Sequence, residues 1–208
     1  MISLYRNAEQ NEQLILAGDP AEGHDYSAFV VVSKKYADVV MIGRSKEESS
    51  QLGYTLNHIG LYFKKQTNNH PLLAVEKNVG SATLYVLKQL NYPNLYRMPS
   101  SFTKTIEEPT EQYGWITSSA TRPKMLDDLA LAIRQKAIKI PSKVLVDELY
   151  TFIREEKTGK PQAEIGCHDD LVIALAIAWQ LYQTMPAPQT PYIPPATDIS
   201  QRNWRIGV

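Results

Sequence analysis

Three acidic positions, each at the end of an apolar run, constrain this chain of 208 residues more than any other feature. Asp19 follows Leu-Ile-Leu-Ala-Gly, Glu76 follows Leu-Leu-Ala-Val, and the pair Asp169-Asp170 precedes a long run rich in Ala and Leu. The first two runs are short and bounded by turn-forming residues, which favours buried strands. The third has the length and composition of a buried helix. The pattern therefore predicts an α/β protein with carboxylates at the ends of buried elements.

Carboxylates in such positions indicate a metal site. A buried carboxylate is costly to desolvate unless a cation faces it, and three of them on neighbouring elements repel one another unless a divalent ion lies between them. Mg²⁺ and Mn²⁺ prefer oxygen ligands, and acids gathered in this way build two-metal phosphoryl-transfer sites. A second interpretation stays open, in which each acid only forms a turn or caps a helix. In that case Asp169 is the N-cap and Asp170 the first helical residue.

Composition restricts the classes of protein further. A hydrophobic content of 43% and a charged content of 21% are typical of one globular domain. Cys167 is the only cysteine, so a disulfide framework is excluded and a reducing, intracellular compartment is expected. No apolar run approaches about 20 residues, and we expect neither a membrane span nor a signal peptide. Basic and acidic residues number 22 each, so any binding of nucleic acid must come from a local basic face.

The order of the apolar runs predicts a mixed sheet. We expect an N-terminal arm or linker over 1–13, a folded domain over 14–184 and a Pro-rich tail over 185–208. Three antiparallel strands and a parallel crossover to a fourth give a sheet with helices on both faces. The ends of the first and fourth strands are then neighbours, which brings Asp19 and Glu76 together, and the closing helix can point its N-terminus at them.

Two helix starts carry local signals. Ser45 with Glu48 three residues later has the pattern of a capping box before the first helix. Asn78 is a candidate N-cap for a second helix over roughly 79–90. No internal repeat is visible.

Four segments of the sequence together are similar to one known family. The segments are Gly18-Asp19-Pro20-Ala21-Glu22-Gly23-His24-Asp25-Tyr26-Ser27-Ala28, Ala74-Val75-Glu76-Lys77-Asn78, Gly114-Trp115-Ile116-Thr117 and Gly166-Cys167-His168-Asp169-Asp170-Leu171-Val172. They resemble the nuclease domain of the DNA-packaging terminase large subunit of viruses of the tailed-bacteriophage type, over roughly residues 14–184. The His-Asp-Asp start of an Ala-rich helix is the most specific part of the likeness, and the Gly-Trp-x-Thr element adds to it.

The resemblance implies an RNase H-like fold and a metal-dependent endonuclease that cuts double-stranded DNA during viral packaging with two Mg²⁺ or Mn²⁺ ions. Asp19, Glu76 and Asp170 match the acidic triad of that family, and Asp169 is a possible additional ligand. The implied partners are double-stranded DNA, an ATPase motor domain, the portal and the small terminase subunit, and the implied location is the cytoplasm of an infected host cell. The chain contains no phosphate-binding loop, because Thr158-Gly159-Lys160 lacks the first glycine of that motif and the preceding strand.

Other polar residues are candidates for supporting roles. His168 could orient the site or shuttle a proton, or simply precede the helix. Asp25 could touch substrate or only shape the turn after Asp19. Lys77, Lys157 and Lys160 are candidate contacts to DNA phosphates, although lysines in such positions often form nothing more than a solvated surface.

Two other functions are compatible with the same residues. A Holliday-junction resolvase or a 3′–5′ exonuclease also places acids on a sheet of this kind. A module that docks DNA or a portal without catalysis would use the acids structurally.

Overall fold

The computed structural model describes residues 1–21, 25–99, 112–155 and 159–186. Nine strands and five helices are present in these ranges. The strands are β1 Ile2–Leu4, β2 Leu14–Asp19, β3 Ser27–Ser33, β4 Val39–Ser45, β5 Leu72–Val75, β6 Arg97–Met98, β7 Gln112–Tyr113, β8 Phe152–Arg154 and β9 Pro161–Ala163. The helices are α1 Ser49–Thr67, α2 Ser81–Gln89, α3 Thr121–Arg134, α4 Lys143–Thr151 and α5 Asp170–Thr184.

Five strands form one mixed sheet in the order β1-β4-β3-β2-β5. β2, β3 and β4 are antiparallel neighbours, whereas β5 lies parallel to β2. This confirms the mixed sheet and the adjacency of the first and fourth apolar runs. The short edge strand β1 pairs with β4, so residues 2–4 join the sheet within the segment that was expected to be an arm. The division of the chain into an arm, a domain and a tail stays a prediction, and residues 187–208 lie outside the described ranges.

Helices cover both faces of the sheet because the side chains of its strands alternate. Ile15 and Ala17 of β2 face a core that contains α3 and α5, whereas Leu14 and Leu16 face a core that contains α1 and α2. In α5 every residue from Leu171 to Leu181 is buried, since this helix packs against β2, β3 and α3. In the described part of the chain, no helix has the length and apolar character needed to cross a membrane.

Both predicted helix caps are wrong. Ser45 is the last residue of β4, and α1 begins after Glu48, whose side chain makes no capping hydrogen bond. α2 begins after Gly80, and the Asn78 side chain instead donates a 2.5 Å hydrogen bond to the carbonyl of Thr117. In both places the preceding strand or loop extends a few residues beyond the apolar run, so the helix begins later than predicted. A local capping pattern does not show where the preceding strand or loop ends.

One row of residues crosses the edge of the sheet at the C-terminal ends of β2 and β5. Arg44 pairs with Ala28, and Ala28 pairs with Asp19. The parallel register of β2 and β5 continues to Asp19 and Glu76, and Glu76 forms an isolated bridge with Trp115. Adjacent strands lie about 4.8 Å apart. In this row the two acids lie in the middle, Arg44 lies at one end and Trp115 lies at the other.

Candidate functional site

Asp19 and Glu76 form the centre of the site. The backbone N–H of Glu76 donates a 2.9 Å hydrogen bond to the carbonyl of Gly18, which fixes the two acids side by side. Burial raises the pKa of the Asp19 carboxyl well above its usual range, and the charges of Glu76 and Asp170 and a side-chain hydrogen bond with Glu76 raise it further. Glu76 is only 9% exposed. The two acids therefore share a confined space in which their charges oppose each other.

Asp170 approaches this pair from the N-terminus of α5. Burial and the charge of Asp169 raise the pKa of Asp170 to about 6, although the charges of His168 and Arg44 oppose the increase. The Asp170 Oδ2 atom is buried and accepts no hydrogen bond from the residues that the structure describes. The Nδ1 atom of His168 lies 3.8 Å from it. The acids at the end of β2, after β5 and at the start of α5 are thus brought together, as the sequence predicted.

Asp169 takes the N-cap position of α5, but its side chain makes no capping hydrogen bond. It lies instead 3.5 Å from the guanidinium of Arg122, in the first turn of α3. Its charge still contributes to the raised pKa values of Asp19 and Asp170. Asp169 therefore lies at the margin of the acidic cluster, between the other acids and the Arg122 guanidinium.

The Gly-Trp-x-Thr segment lies directly beside Glu76. Trp115 donates its backbone N–H to the carbonyl of Val75 at 2.8 Å and accepts the N–H of Lys77 at 2.7 Å. The Trp115 ring is 5% exposed and belongs to the core that contains α5. Gly114 has a φ of +89°, and a Cβ atom there would lie 2.7 Å from the carbonyl oxygen of Val75. This segment extends the sheet by a short stretch and fixes the backbone on both sides of Glu76.

Glu148 of α4 is a buried residue of the site that sequence reasoning missed. Its Oε2 atom accepts the backbone N–H of Leu171 at 3.0 Å, and its Oε1 atom lies 2.6 Å from the guanidinium of Arg44. Burial raises the pKa of Glu148 to about 7 in spite of the attraction of Arg44. Glu148 therefore connects the first turn of α5, which carries Asp170, to the end of β4. The only signal in the sequence was an acid on the apolar side of an amphipathic helix.

Aromatic and basic side chains border the cluster on the β4 side. The Arg44 guanidinium lies 4.6 Å from the centre of the Tyr26 ring, and the ring of His168 meets Tyr26 edge-on at 4.9 Å. Asp25 is exposed in the loop next to Tyr26, and its charge raises the pKa of Asp170. His168 and Asp25 thus lie beside the acids, and their supporting roles stay predictions.

The three candidate lysines have different positions. Lys77 follows Glu76, and its Nζ atom donates a 2.8 Å hydrogen bond to Oε1 of Gln112. Lys160 is exposed at the end of the β8–β9 hairpin, where its carbonyl accepts the backbone N–H of Glu155. Lys157 lies outside the described residues. In this hairpin Phe152 pairs with Ala163 and Arg154 pairs with Pro161.

The donor set fits a hard divalent cation. Among the described residues, no three His, Cys, Asp or Glu side chains already have a metal-binding arrangement. The acids nevertheless supply carboxylate oxygens, the ligands that Mg²⁺ and Mn²⁺ prefer. One of these oxygens is buried without a donor, and the charges of Glu76 and Asp170 raise the pKa of Asp19. A divalent cation among them would satisfy that oxygen and relieve the repulsion.

An apolar cavity lies away from the acids. It has a volume of about 490 Å³ and is lined mainly by apolar side chains of α3, α4 and their neighbours, among them Leu129, Ile133 and Tyr150. None of the four acids lines it. The acids lie instead at the C-terminal ends of β2 and β5 and at the start of α5.

No family model and no curated protein matches the chain. Solved structures do match. The large terminase nuclease from the thermophilic phage G20c superposes with a TM-score of 0.65 at 19% identity, covering 87% of this chain and 88% of that one. The nuclease domain of the Thermus phage P74-26 large terminase gives 0.62 at 18% identity, with 91% and 90% covered. The terminase nuclease domain of human cytomegalovirus gives 0.56 at 11% identity, with 85% and 86% covered. The chain thus shares the RNase H-like fold of terminase nuclease domains.

Proposed function

We propose that this chain is a divalent-metal-dependent endonuclease that cuts double-stranded DNA. The observation that carries the proposal is the convergence of Asp19, Glu76 and Asp170 from three separate elements onto one edge of the sheet. Burial and mutual repulsion raise the pKa values of Asp19 and Asp170, a condition that is costly without a cation. If each acid only formed a turn or capped a helix, the three carboxylates would have no reason to lie close together.

The acids would hold two Mg²⁺ or Mn²⁺ ions. Asp19, at the end of β2, would hold them together with Glu76 and Asp170, and Asp169 would be an additional ligand. When bound, the ions would stabilise the charge that develops on the phosphodiester and lower the pKa of an attacking water.

The surrounding residues would prepare this site. Glu148 holds the first turn of α5 by its hydrogen bond to the Leu171 N–H, and so positions Asp170. The Trp115 segment fixes the backbone on both sides of Glu76. His168, which contacts Tyr26 and lies 3.8 Å from Oδ2 of Asp170, is placed to orient that carboxylate or to accept a proton near it.

The structural neighbours support the same chemistry. They are nuclease domains, and structures of the G20c protein contain magnesium, cobalt or zinc, while the cytomegalovirus domain was soaked with manganese. By this likeness we propose that the chain generates genome ends during viral DNA packaging, in the cytoplasm of an infected host cell. An ATPase motor domain, the portal and the small terminase subunit are the proposed partners.

We propose that cleavage depends little on DNA sequence. The sequence shows no helix rich in Arg, Asn or Gln of the kind that reads base edges. A motor that holds the duplex would leave this domain only the task of contacting phosphates and positioning one scissile bond.

The test is incubation of the purified protein with supercoiled plasmid and with linear DNA whose ends are blocked, in Mn²⁺, Mg²⁺ or EDTA. An endonuclease nicks and then linearises the plasmid and also cuts the blocked linear DNA, and EDTA stops both reactions. Degradation that requires free ends would indicate an exonuclease instead. DNA binding without cleavage in any divalent ion would indicate a docking module and would contradict the proposal.

A further inference from the structure

A tyrosine ring contacts two cations on the face of the sheet that carries Asp19. The register pairs Asp19 with Ala28 and Ala28 with Arg44, and residues paired directly across strands lie on the same face. Ala28 belongs to the core that contains α5, so Asp19 and Arg44 both lie on the α5 face. The Arg44 guanidinium lies 4.6 Å from the centre of the Tyr26 ring, and the Lys46 Nζ atom lies 5.0 Å from it. Tyr26 and Lys46 are therefore next to Arg44 on this side of the sheet.

Short contacts connect Lys46 to the acidic cluster. The same Tyr26 ring meets the ring of His168 edge-on, with 4.9 Å between the ring centres. The Nδ1 atom of His168 lies 3.8 Å from Oδ2 of Asp170. Only the rings of Tyr26 and His168 thus separate the Lys46 ammonium group from a proposed metal ligand. The ammonium group is therefore beside the proposed metal site.

The two cations at the Tyr26 ring differ in whether their charge is already paired. Arg44 forms a 2.6 Å ion pair with Glu148, and its side chain is only 21% exposed. Lys46 is exposed and forms no ion pair or hydrogen bond with any residue that the structure describes, Asp25 included. An aromatic ring attracts a cation without neutralising its charge. Lys46 therefore presents an unpaired positive charge to solvent next to the acids.

We propose that Lys46 binds a phosphate of the DNA strand beside the phosphate at the metal site. The inference rests on the proposed function and adds a substrate contact that the sequence did not single out. A phosphodiester chain that reaches the acids continues past them, and its negative charge is repelled by carboxylates and attracted by an exposed, unpaired ammonium group. Lys46 meets this requirement on the α5 face, where the acids lie.

The experiment measures DNA binding separately from cleavage. In an Asp19→Asn background, which suppresses cutting, anisotropy of a labelled DNA duplex gives the Kd at several salt concentrations. Lys46→Gln should weaken binding roughly fivefold and lower the slope of log Kd against log salt by about 1, as expected for one lost phosphate contact. Lys46→Arg keeps the charge and should restore binding.

Lys88→Gln is the matched control. Lys88 is also an exposed lysine over a tyrosine ring, with its Nζ atom 4.4 Å from the centre of the Tyr113 ring. It belongs to α2, whose buried residues Leu84 and Leu87 pack in the core on the other face of the sheet. The control variant should bind DNA like its parent, and melting temperatures should show that both variants are folded.

Cleavage by the otherwise wild-type protein shows whether Lys46 contacts substrate or acts on the acids. Lys46→Gln should raise the plasmid concentration needed for half-maximal nicking by about the same factor as the Kd. The Mn²⁺ concentration needed for half-maximal nicking should stay unchanged, because Lys46 is not a metal ligand. A higher Mn²⁺ requirement with unchanged DNA affinity would show that Lys46 acts through the acids and would overturn the proposal.

Equal affinities and salt slopes for Lys46→Gln and Lys88→Gln would also overturn it. If Lys46→Gln weakened the binding of poly-glutamate but not of DNA, the proposal would be wrong and an acidic protein would be indicated as the partner. Plasmid nicking by the wild-type protein tests the proposed function separately. A protein that binds DNA through Lys46 but never cleaves would leave this contact assigned and the nuclease function contradicted.

Discussion

At the scale of single residues, the Asp170 carboxyl shows most clearly what the site requires. Its Oδ2 atom is buried and has no hydrogen-bond donor among the described residues, and burial and Asp169 raise its pKa to about 6. A buried acceptor without a donor is costly. The position is thus unfavourable for the fold alone and suited to a cation, as expected of a functional residue.

The pH dependence of stability should reveal the titration of the Asp170 carboxyl. Because its pKa is raised in the folded state, the folded protein binds more protons than the unfolded chain between about pH 4 and pH 6. The contribution of Asp170 to stability is therefore present at low pH and is lost as the pH rises through about 6. Asn at this position does not titrate. As the pH rises from about 4 to about 6, the melting temperature of metal-free Asp170→Asn minus that of the metal-free wild type should therefore increase. A constant difference would contradict the raised pKa.

Glu148 should act on the site through Asp170 and Arg44. Glu148→Gln can still accept the Leu171 N–H but leaves Arg44 without its partly buried ion pair, so we expect a loss of about 1–3 kcal/mol in the free energy of unfolding. Cleavage should require a higher Mn²⁺ concentration, because the α5 terminus is held less firmly. Denaturant unfolding and nicking rates against Mn²⁺ measure the two effects. A variant that is destabilised but has an unchanged Mn²⁺ requirement would show that Glu148 only supports the fold.

At the scale of elements, the sequence predicted those parts whose signal is local. The apolar runs of β2 and β5 and the length of α5 defined the strands and the helix that carry the acids. The role of Glu148 could not be predicted, because its partners Arg44 and Leu171 come from distant segments that only the tertiary structure brings together. Strand β1 is too short to show an alternating pattern, and the starts of α1 and α2 depend on how far the preceding sheet or loop continues.

Gly114 is an element-scale position that can be tested. Gly114→Ala places a Cβ against the carbonyl of Val75 at a φ of +89°, and we expect a destabilisation of about 2 kcal/mol with a shift of Trp115 away from Glu76. Gly159→Ala is the control, because Gly159 also has a positive φ, of +67°, but its Cβ would meet no atom within 4 Å. Melting temperature and nicking rate should both fall more for Gly114→Ala. Equal effects would show that the close contact with Val75 is unimportant.

At the scale of the whole molecule, the positions of the charged residues matter more than their numbers. Acidic and basic residues are equal in number, yet the acids lie at the centre of one sheet edge. Arg44 lies in the same row of the sheet as Asp19, and Lys77 directly follows Glu76. Global neutrality therefore does not oppose DNA binding, although we expect the affinity to be weak at physiological salt.

The β8–β9 hairpin is a candidate DNA contact that can be tested. Arg154 attaches the hairpin to Asp127 of α3 at 2.9 Å, and Lys160 is exposed at its end. Replacing Lys160 and Lys157 together by Glu should slow plasmid nicking and flatten its dependence on salt, while the shift in melting temperature caused by Mn²⁺ stays unchanged. Two plasmids of unrelated sequence should respond alike. A double variant with the rate and salt dependence of wild type would show that the hairpin does not contact DNA.

The central claim is that the acids gathered at one edge of the sheet form a metal-dependent nuclease site. Its most direct test is the rate of plasmid nicking against Mn²⁺ concentration for the wild-type protein and for Asp19→Asn. We expect the wild type to cleave and EDTA to stop it. Asp19→Asn should stay folded and be at least as stable without metal, yet lose activity by roughly a hundredfold or more, since even outer partners of a metal site contribute about 10- to 100-fold. Cleavage by Asp19→Asn at nearly the wild-type rate and Mn²⁺ requirement would contradict the account.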